Sequence, residues 1–201
     1  MGTRAIRLLK RCAGDRAGAT AVEFAIVAPV FLTLLLGVFD YGHMIYAQSV
    51  LQGAVHQAGR NSGLESGSDF MDAIDDDVRG QVHNIVPQGS VLTSRTNYES
   101  FNDVNKPEDF VDANANGEYD EDECFTDVNA NGDWDEDRGL EGLGGADDVV
   151  LYTATLEYDR LVPMFAFVGG SEQHRISAST ILRNQPFGDQ AERPEEQICP
   201  E

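Results

Sequence analysis

The chain has 201 residues, 41% of them apolar and 24% charged, enough to bury a core in one domain with an appendage and too much for a chain disordered throughout. Its 14 Lys and Arg against 35 Asp and Glu leave a formal charge of −21, which argues against a nucleic-acid partner, because phosphate contacts need clustered cations. A cationic partner such as a metal ion suits that balance better.

Arg4, Arg7, Lys10, Arg11 and Arg16 make a basic head in which Asp15 is the lone acid. From Ala17 to Phe39 the only charged residue is Glu23, and Phe24 to Phe39 is apolar or small throughout. At about 1.5 Å per helical residue this run crosses most of a ~30 Å hydrocarbon core. It is too long and too rich in Leu and Val for a surface helix, which would carry charge along one face. Bases before it and acids after it place the N-terminus in the cytoplasm and everything from about Asp40 onward outside, a single-pass arrangement. A secretory signal would end at a small-x-small cleavage site. Here the run continues as helix, with Met44, Ala47, Leu51, Ala54, Val55 and Ala58 at spacings of three and four, a stalk with one packing face. Cys12 follows Lys10 and Arg11 rather than small residues, so no lipobox is present.

Where the apolar run begins, the residues are Gly18, Ala19, Thr20, Ala21, Val22, Glu23 and Phe24: a glycine after the basic leader and a glutamate at the fifth position beyond it. This matches the type IV prepilin processing pattern. With Pro29 and the stalk, the stretch resembles the TadE/TadG family of pilus assembly proteins from the tight-adherence (Flp) system. The resemblance implies cleavage between Gly18 and Ala19 by a prepilin peptidase at the cytoplasmic face of the bacterial inner membrane. It also implies pairing of Glu23 with the new α-amine of a neighbouring subunit. Physical reasoning agrees: Gly18 lets a protease approach the backbone, and a carboxylate in a bilayer normally has a partner. On the bland alternative Glu23 simply reaches interfacial water and Gly18 is a loop residue.

Beyond the stalk, Asp69 to Ile85 reads as a helix and Ser90 to Tyr98 as a strand, with Val91 and Thr93 in alternation. Val149 to Tyr158 is β-branched and aromatic, with alternation clear from Tyr152, and Pro163 breaks it; a further strand covers about His174 to Arg183. That last strand runs into Arg183-Asn184-Gln185-Pro186-Phe187, similar to the family's closing Arg-Asn-Glu-Pro-Phe signature except for Gln185. The expected fold is α+β and pilin-like, a long N-terminal helix laid on a small antiparallel sheet. The expected segments are a leader at 1–18, the transmembrane and stalk helix at 19–63, a helix and first strand at 64–98, an acidic insertion at 99–148, the C-terminal strands at 149–188 and a disordered tail at 189–201.

The insertion lies outside the resemblance. Acids crowd from Asp112 to Glu141, with Arg138 the lone base. Asp112, Asn114, Asn116, Gly117, Glu118, Asp120 and Glu123 complete the D-x-[DN]-x-[DN]-G-x5-E calcium loop. In that pattern side-chain oxygens at positions 1, 3 and 5 converge as the chain turns at the glycine. Position 7 offers its carbonyl, position 9 acts directly or through water, and the final acid closes the site with two oxygens. A second copy follows with Asp127, Asn129, Asn131, Gly132, Asp133 and Asp135, but its closing place holds Arg138. Either Asp137 closes this loop with altered geometry or the site is weak, and Arg138→Glu is expected to strengthen it. Cys124, Phe125 and Thr126 alone separate the copies, too few residues for EF-hand helices, so the segment is closer to dockerin or thrombospondin type 3 repeats, which resemble it in their short loops. A solvated acidic linker is the plain alternative.

Cys12 would leave with the leader, whereas Cys124 and Cys199 fall outside the membrane, where oxidation is allowed. A disulfide between them would tie the acidic segment to the tail; connectivity is not read from sequence alone, and a free thiol in a disordered end is the alternative. His43, His56, His83 and His174 are scattered, and no HExxH, GxSxG or Walker loop occurs, so no enzyme is expected. The expected function is that of a minor pseudopilin or pilus assembly protein. Its expected partners are a prepilin peptidase, other pseudopilins, the inner-membrane platform and calcium, with no nucleic acid. The rival expectation is an unprocessed, membrane-anchored, calcium-dependent adhesin or binding module.

Overall fold

The computed structural model describes residues 17–62, 68–162, 169–185, 193 and 195–200. Residues 1–16 of the expected leader, Cys12 among them, Pro163 and the Pro186-Phe187 end of the closing signature lie outside them. The elements are α1 (Ala17–Ser62), α2 (Ser68–His83), β1 (Ser90–Tyr98), a 3-10 turn (Phe101–Asp103), β2 (Phe125–Asp127), β3 (Leu140–Glu141), β4 (Val149–Asp159), β5 (Gln173–Arg183) and β6 (Glu196–Ile198). They divide into two compact units, one made of the chain up to Ile45 with Arg160–Glu172, the other of Tyr46–Asp159 with Gln173–Glu201.

In the first unit α1 carries the apolar run with Val22, Phe24, Ile26, Val30, Phe31 and Leu34 exposed, as a lipid-facing helix requires. Pro29 lies inside the helix, where it lacks the N–H that would bond the preceding turn. The Thr33 hydroxyl donates to the Pro29 carbonyl at 2.7 Å, one turn on. Asp40, only 2% exposed, ends the apolar run. Its carboxylate accepts from the Arg160 guanidinium at 3.0 Å and from the Leu161 N–H at 3.1 Å. A buried carboxylate needs such partners, because desolvation would otherwise neutralise it.

In the second unit the main sheet has the order β3-β1-β4-β5, antiparallel throughout. Register places Val91, Leu156 and Ile176 opposite one another, and likewise Thr93, Ala154 and Ala178, so each trio shares a face. Against that face lies the stalk stripe, with Ala47, Leu51, Ala54, Val55 and Ala58 buried; Met44, the first residue of the expected stripe, is half-buried and belongs to the first unit. At Gly59 helix and strand come close, since a Cβ there would stand 2.8 Å from Thr180 Cγ2. Leu51 and Leu156 are fully buried, and shortening either to Ala costs roughly 2–5 kcal/mol.

Helix α2 adds Ile74, Val78 and Val82 to the core at a spacing of four. It is pinned to the sheet by Asp75, which accepts from Arg95 at 2.6 Å and from the hydroxyls of Thr93 and Tyr152 at 2.8 Å each. Burial alone would push the Asp75 carboxyl up, but these donors outweigh it and hold its pKa below the ordinary value. The Tyr152 phenol is pushed up by burial and by donating to Asp75.

The tail expected to be disordered contains β6, which pairs antiparallel with β2: Phe125 opposite Ile198 and Asp127 opposite Glu196. Cys124 and Cys199 are joined by a disulfide. Composition, with Pro194 and Pro200, marks this tail as unstructured; a three-residue strand has little stability by itself, and here the pairing is fixed covalently.

Candidate functional site

Gly18, Ala19 and Glu23 lie in the first turns of α1 and are exposed, and a Cβ at Gly18 would meet nothing within 4 Å.

The residues between β1 and β4 form two loops of the same shape. In the first, Asp112 Oδ1 accepts the Asn116 N–H at 3.1 Å and Oδ2 the Gly117 N–H at 2.9 Å. Asn114 Oδ1 accepts from Asn116 N–H and Asn116 Oδ1 from Glu118 N–H. The side-chain amides of Asn114 and Asn116 both donate to Asp120 Oδ2, at 2.7 and 2.8 Å. Ala115 and Gly117 have φ of +59° and +81°, the left-handed steps that curl the chain around Asp120. Glu123, 3% exposed, closes the loop: Oε1 accepts the Ala113 N–H at 2.7 Å and Oε2 the Asp120 N–H at 3.3 Å.

The second loop repeats this arrangement. Asp127 Oδ2 accepts the Gly132 N–H at 2.8 Å, and Asn129 and Asn131 both donate to Asp135 Oδ2 at 2.6 Å. Asp133, like Glu118, donates its N–H to the asparagine two residues before it, at 2.7 Å. Ala130 and Gly132 have φ of +60° and +86°. Neither Asp137 nor Arg138 closes this loop. Asp137 accepts from the Tyr98 hydroxyl at 2.8 Å. The Arg138 guanidinium donates to the Pro107 carbonyl at 2.7 Å and pairs with Asp109 at 3.0 Å. The closing place is taken by Glu108, 1% exposed, whose Oε1 accepts the Val128 N–H at 2.8 Å and Oε2 the Asp135 N–H at 3.2 Å.

Sequence reasoning missed Glu108 because the loop pattern is counted forward from its first aspartate. The signal lay behind it: Glu108 precedes Asp112 by the same interval as Glu123 precedes Asp127, and residues 108–122 and 123–137 align as Glu-x-Phe-x-Asp-x-Asn-Ala-Asn-Gly-x-aromatic-Asp-Glu-Asp. The aromatic positions of the two repeats, Tyr119 and Trp134, stack with centroids 4.6 Å apart. Phe110 meets Trp134, and Phe125 meets Tyr119, edge-on at 6.1 and 5.7 Å. Trp134 Nε1 donates to the Glu108 carbonyl at 3.0 Å.

The field inside the unit is negative. Burial pushes the Glu108 carboxyl up; the N–H groups of Val128 and Asp135 oppose this, while the charges of Asp127 and Asp135 add to it. Burial also pushes the Tyr119 phenol up, reinforced by Glu121, Glu123 and Asp133. The donor set of each loop, carboxylate and amide oxygens with no sulfur or imidazole, suits a hard cation. Among the described residues no group of three or more His, Cys, Asp or Glu is drawn together around one point. The inner carboxylates, Asp120 and Asp135, are instead satisfied by asparagine Nδ2 donors, so a cation would have to displace those amides.

Among the described residues one helix is long and apolar enough to cross a membrane, and with the small antiparallel sheet it makes an α+β protein that fits the single-pass membrane class. Within that class, residues 18–60 match the family model described as TadE-like protein, beginning at Gly18 and ending within the stalk. The similarity to TadE-like proteins thus covers the N-terminal helix and leaves the rest of the chain unmatched by that model. No curated protein and no solved structure matches the chain.

Proposed function

We propose that the chain is a minor pseudopilin or assembly component of a tight-adherence pilus, held in the bacterial inner membrane with its N-terminus cytoplasmic and cleaved between Gly18 and Ala19 by a prepilin peptidase. The observation that carries this is the TadE-like match beginning at Gly18, with Glu23 at the fifth position after it. The role is assembly with other pseudopilins and the inner-membrane platform rather than catalysis. N-terminal sequencing of the membrane-extracted chain tests it: the mature chain begins at Ala19, and Gly18→Leu leaves the leader attached. A native chain that still carries residues 1–18 sinks the processing role. Glu23→Ala keeps membrane insertion, since an apolar residue suits the bilayer, but reduces co-purification with pilus components.

The paired loops are read here as two calcium sites. The first uses Asp112, Asn114, Asn116, Glu118, Asp120 and Glu123, the second Asp127, Asn129, Asn131, Asp133, Asp135 and Glu108. What supports this is the oxygen-only donor set on the calcium-loop spacing, with the Arg138 guanidinium engaged by the Pro107 carbonyl and Asp109 rather than standing in the closing place of the second loop. Affinities in the ~10⁻⁴–10⁻³ M class suit an extracellular module. Bound calcium would supply charge neutralisation and rigidity. The same unit favours a second reading, an unprocessed membrane-anchored adhesin or binding module, which the sequencing experiment separates from the first.

A further inference from the structure

Each closing glutamate begins a short extended segment whose other end opens a loop. Glu108 and Asp112 flank 109–111, and Glu123 and Asp127 flank 124–126. The two segments pair antiparallel: the Val111 N–H donates to the Cys124 carbonyl at 2.8 Å, and the Thr126 N–H to the Asp109 carbonyl at 2.7 Å, with Phe110 bridged to Phe125. Segment 124–126 is therefore a wall common to both loops.

The far edge of that wall is covered by β6, and the disulfide joins Cys124, next to Glu123, to Cys199. Upstream in the same tail, Arg193 donates to Asn97 Oδ1 at 2.6 Å and pairs with buried Asp148 at 3.1 Å. The tail is thus a strap held at both ends. Its own charge opposes this docking, since Glu196 lies directly opposite Asp127, and like charges facing each other across a strand pair repel. A three-residue strand bearing that repulsion depends on the covalent bond, and on whatever neutralises Asp127.

We propose that the Cys124–Cys199 disulfide regulates calcium binding by the paired loops. When oxidised it holds β6 along the shared wall and keeps Glu123 and Asp127 at the separation both loops use, so the oxidised chain binds calcium more tightly than the dithiol chain. This rests on the calcium reading above. Reduction proceeds by attack of a thiolate from an external dithiol on one protein sulfur. The S–S bond breaks through a mixed disulfide, and two electrons pass to the protein, leaving Cys124 and Cys199 as thiols and the reagent as its cyclic disulfide. Reoxidation is the reverse, with the disulfide form of a dithiol carrier as oxidant. By linkage, calcium must disfavour reduction by the factor through which reduction weakens calcium binding.

The test is calorimetric titration of calcium into the full chain in detergent micelles, oxidised and then held reduced by dithiothreitol, with Cys199→Ser as a second route to the unstrapped state. The calcium Kd should rise by about fivefold or more on reduction and in Cys199→Ser. The dithiothreitol ratio for half-reduction should rise correspondingly in millimolar calcium compared with chelator. Equal Kd values in the two redox states, with half-reduction indifferent to calcium, would overturn the linkage while leaving the calcium reading intact. No calcium heat in either state would overturn both. If Cys199→Ser loses its β signal in circular dichroism, the oxidised and reduced wild-type chain decides.

Discussion

Glu108 and Glu123 hold equivalent places in each other's repeat. The Glu123 N–H donates to the Asp120 carbonyl and its carboxylate accepts from Ala113 and Asp120. The Glu108 N–H donates to the Asp135 carbonyl and its carboxylate accepts from Val128 and Asp135. Each repeat thus supplies the residue that closes the other's loop, and neither loop is complete within its own repeat.

Reciprocal closure makes two sites of comparable strength the expected outcome, in place of a second loop that Asp137 closes with altered geometry or that is weak. Calorimetry on the full chain in detergent should find two calcium ions per chain. Glu108→Gln and Glu123→Gln should each weaken one of them about tenfold or more, because each removes a charge and a closing oxygen pair while keeping shape. Trp134, bonded to the Glu108 carbonyl and stacked on Tyr119, should change emission in the wild type and respond to both substitutions. A Glu108→Gln chain that titrates like the wild type would remove Glu108 from the site.

The sign expected for Arg138 also reverses. Counting along the loop makes it a cation in the closing position, so that Arg138→Glu strengthens binding. In the structure its guanidinium holds the Pro107 carbonyl and Asp109, the residues on either side of Glu108. Arg138→Glu should therefore loosen Glu108 and place a like charge beside Asp109. The outcome is a second-site calcium Kd several-fold higher, measured in the same titration.

The left-handed steps give a paired test. Gly117 and Gly132 have positive φ and open space where a Cβ would stand, so the backbone alone resists a side chain there. Gly117→Ala and Gly132→Ala should each cost roughly 1 kcal/mol. Ala115 and Ala130 already carry that strain, and Ala115→Gly and Ala130→Gly should stabilise by up to ~1 kcal/mol, less the entropy glycine adds to the unfolded chain. Thermal unfolding followed by Trp134 emission reads all four.

The α+β class was legible because its signals are local. Strand β1 is bounded as its alternation predicts, and α2 follows its spacing of four. Glu108 was hidden by the direction of counting, since its partner loop lies a whole repeat downstream. Strand β6 was hidden because a disulfide and an ion pair, not propensity, put three residues of a proline-bearing tail in register. Asp75 was hidden among Asp76 and Asp77, its neighbours on α2. Nothing in an acidic triplet says which carboxylate turns inward to Arg95, and only the sheet register that brings Thr93 and Tyr152 side by side with Arg95 decides it.

That inward carboxylate sets an acid limit on the fold. The Asp75 pKa is lower in the folded chain than its ordinary 3.8, so the folded state favours the ionised form more than the unfolded state does. Its contribution is complete above the unfolded value and disappears as pH falls through the folded one. Asp75→Asn keeps the shape but leaves the Arg95 guanidinium, which also lies over the Tyr152 ring at 4.8 Å, without its counter-charge. At pH 7 this should cost about 3 kcal/mol, the scale for removing one partner of a buried pair. On acidification below about pH 4 the wild type should lose stability toward the variant, and the gap between their Tm values should narrow. Thermal melts of both chains from pH 7 to pH 3, with chelator present to keep the loops out of the comparison, measure that gap directly. A gap independent of pH would mean that Asp75 acts by shape and hydrogen bonding alone.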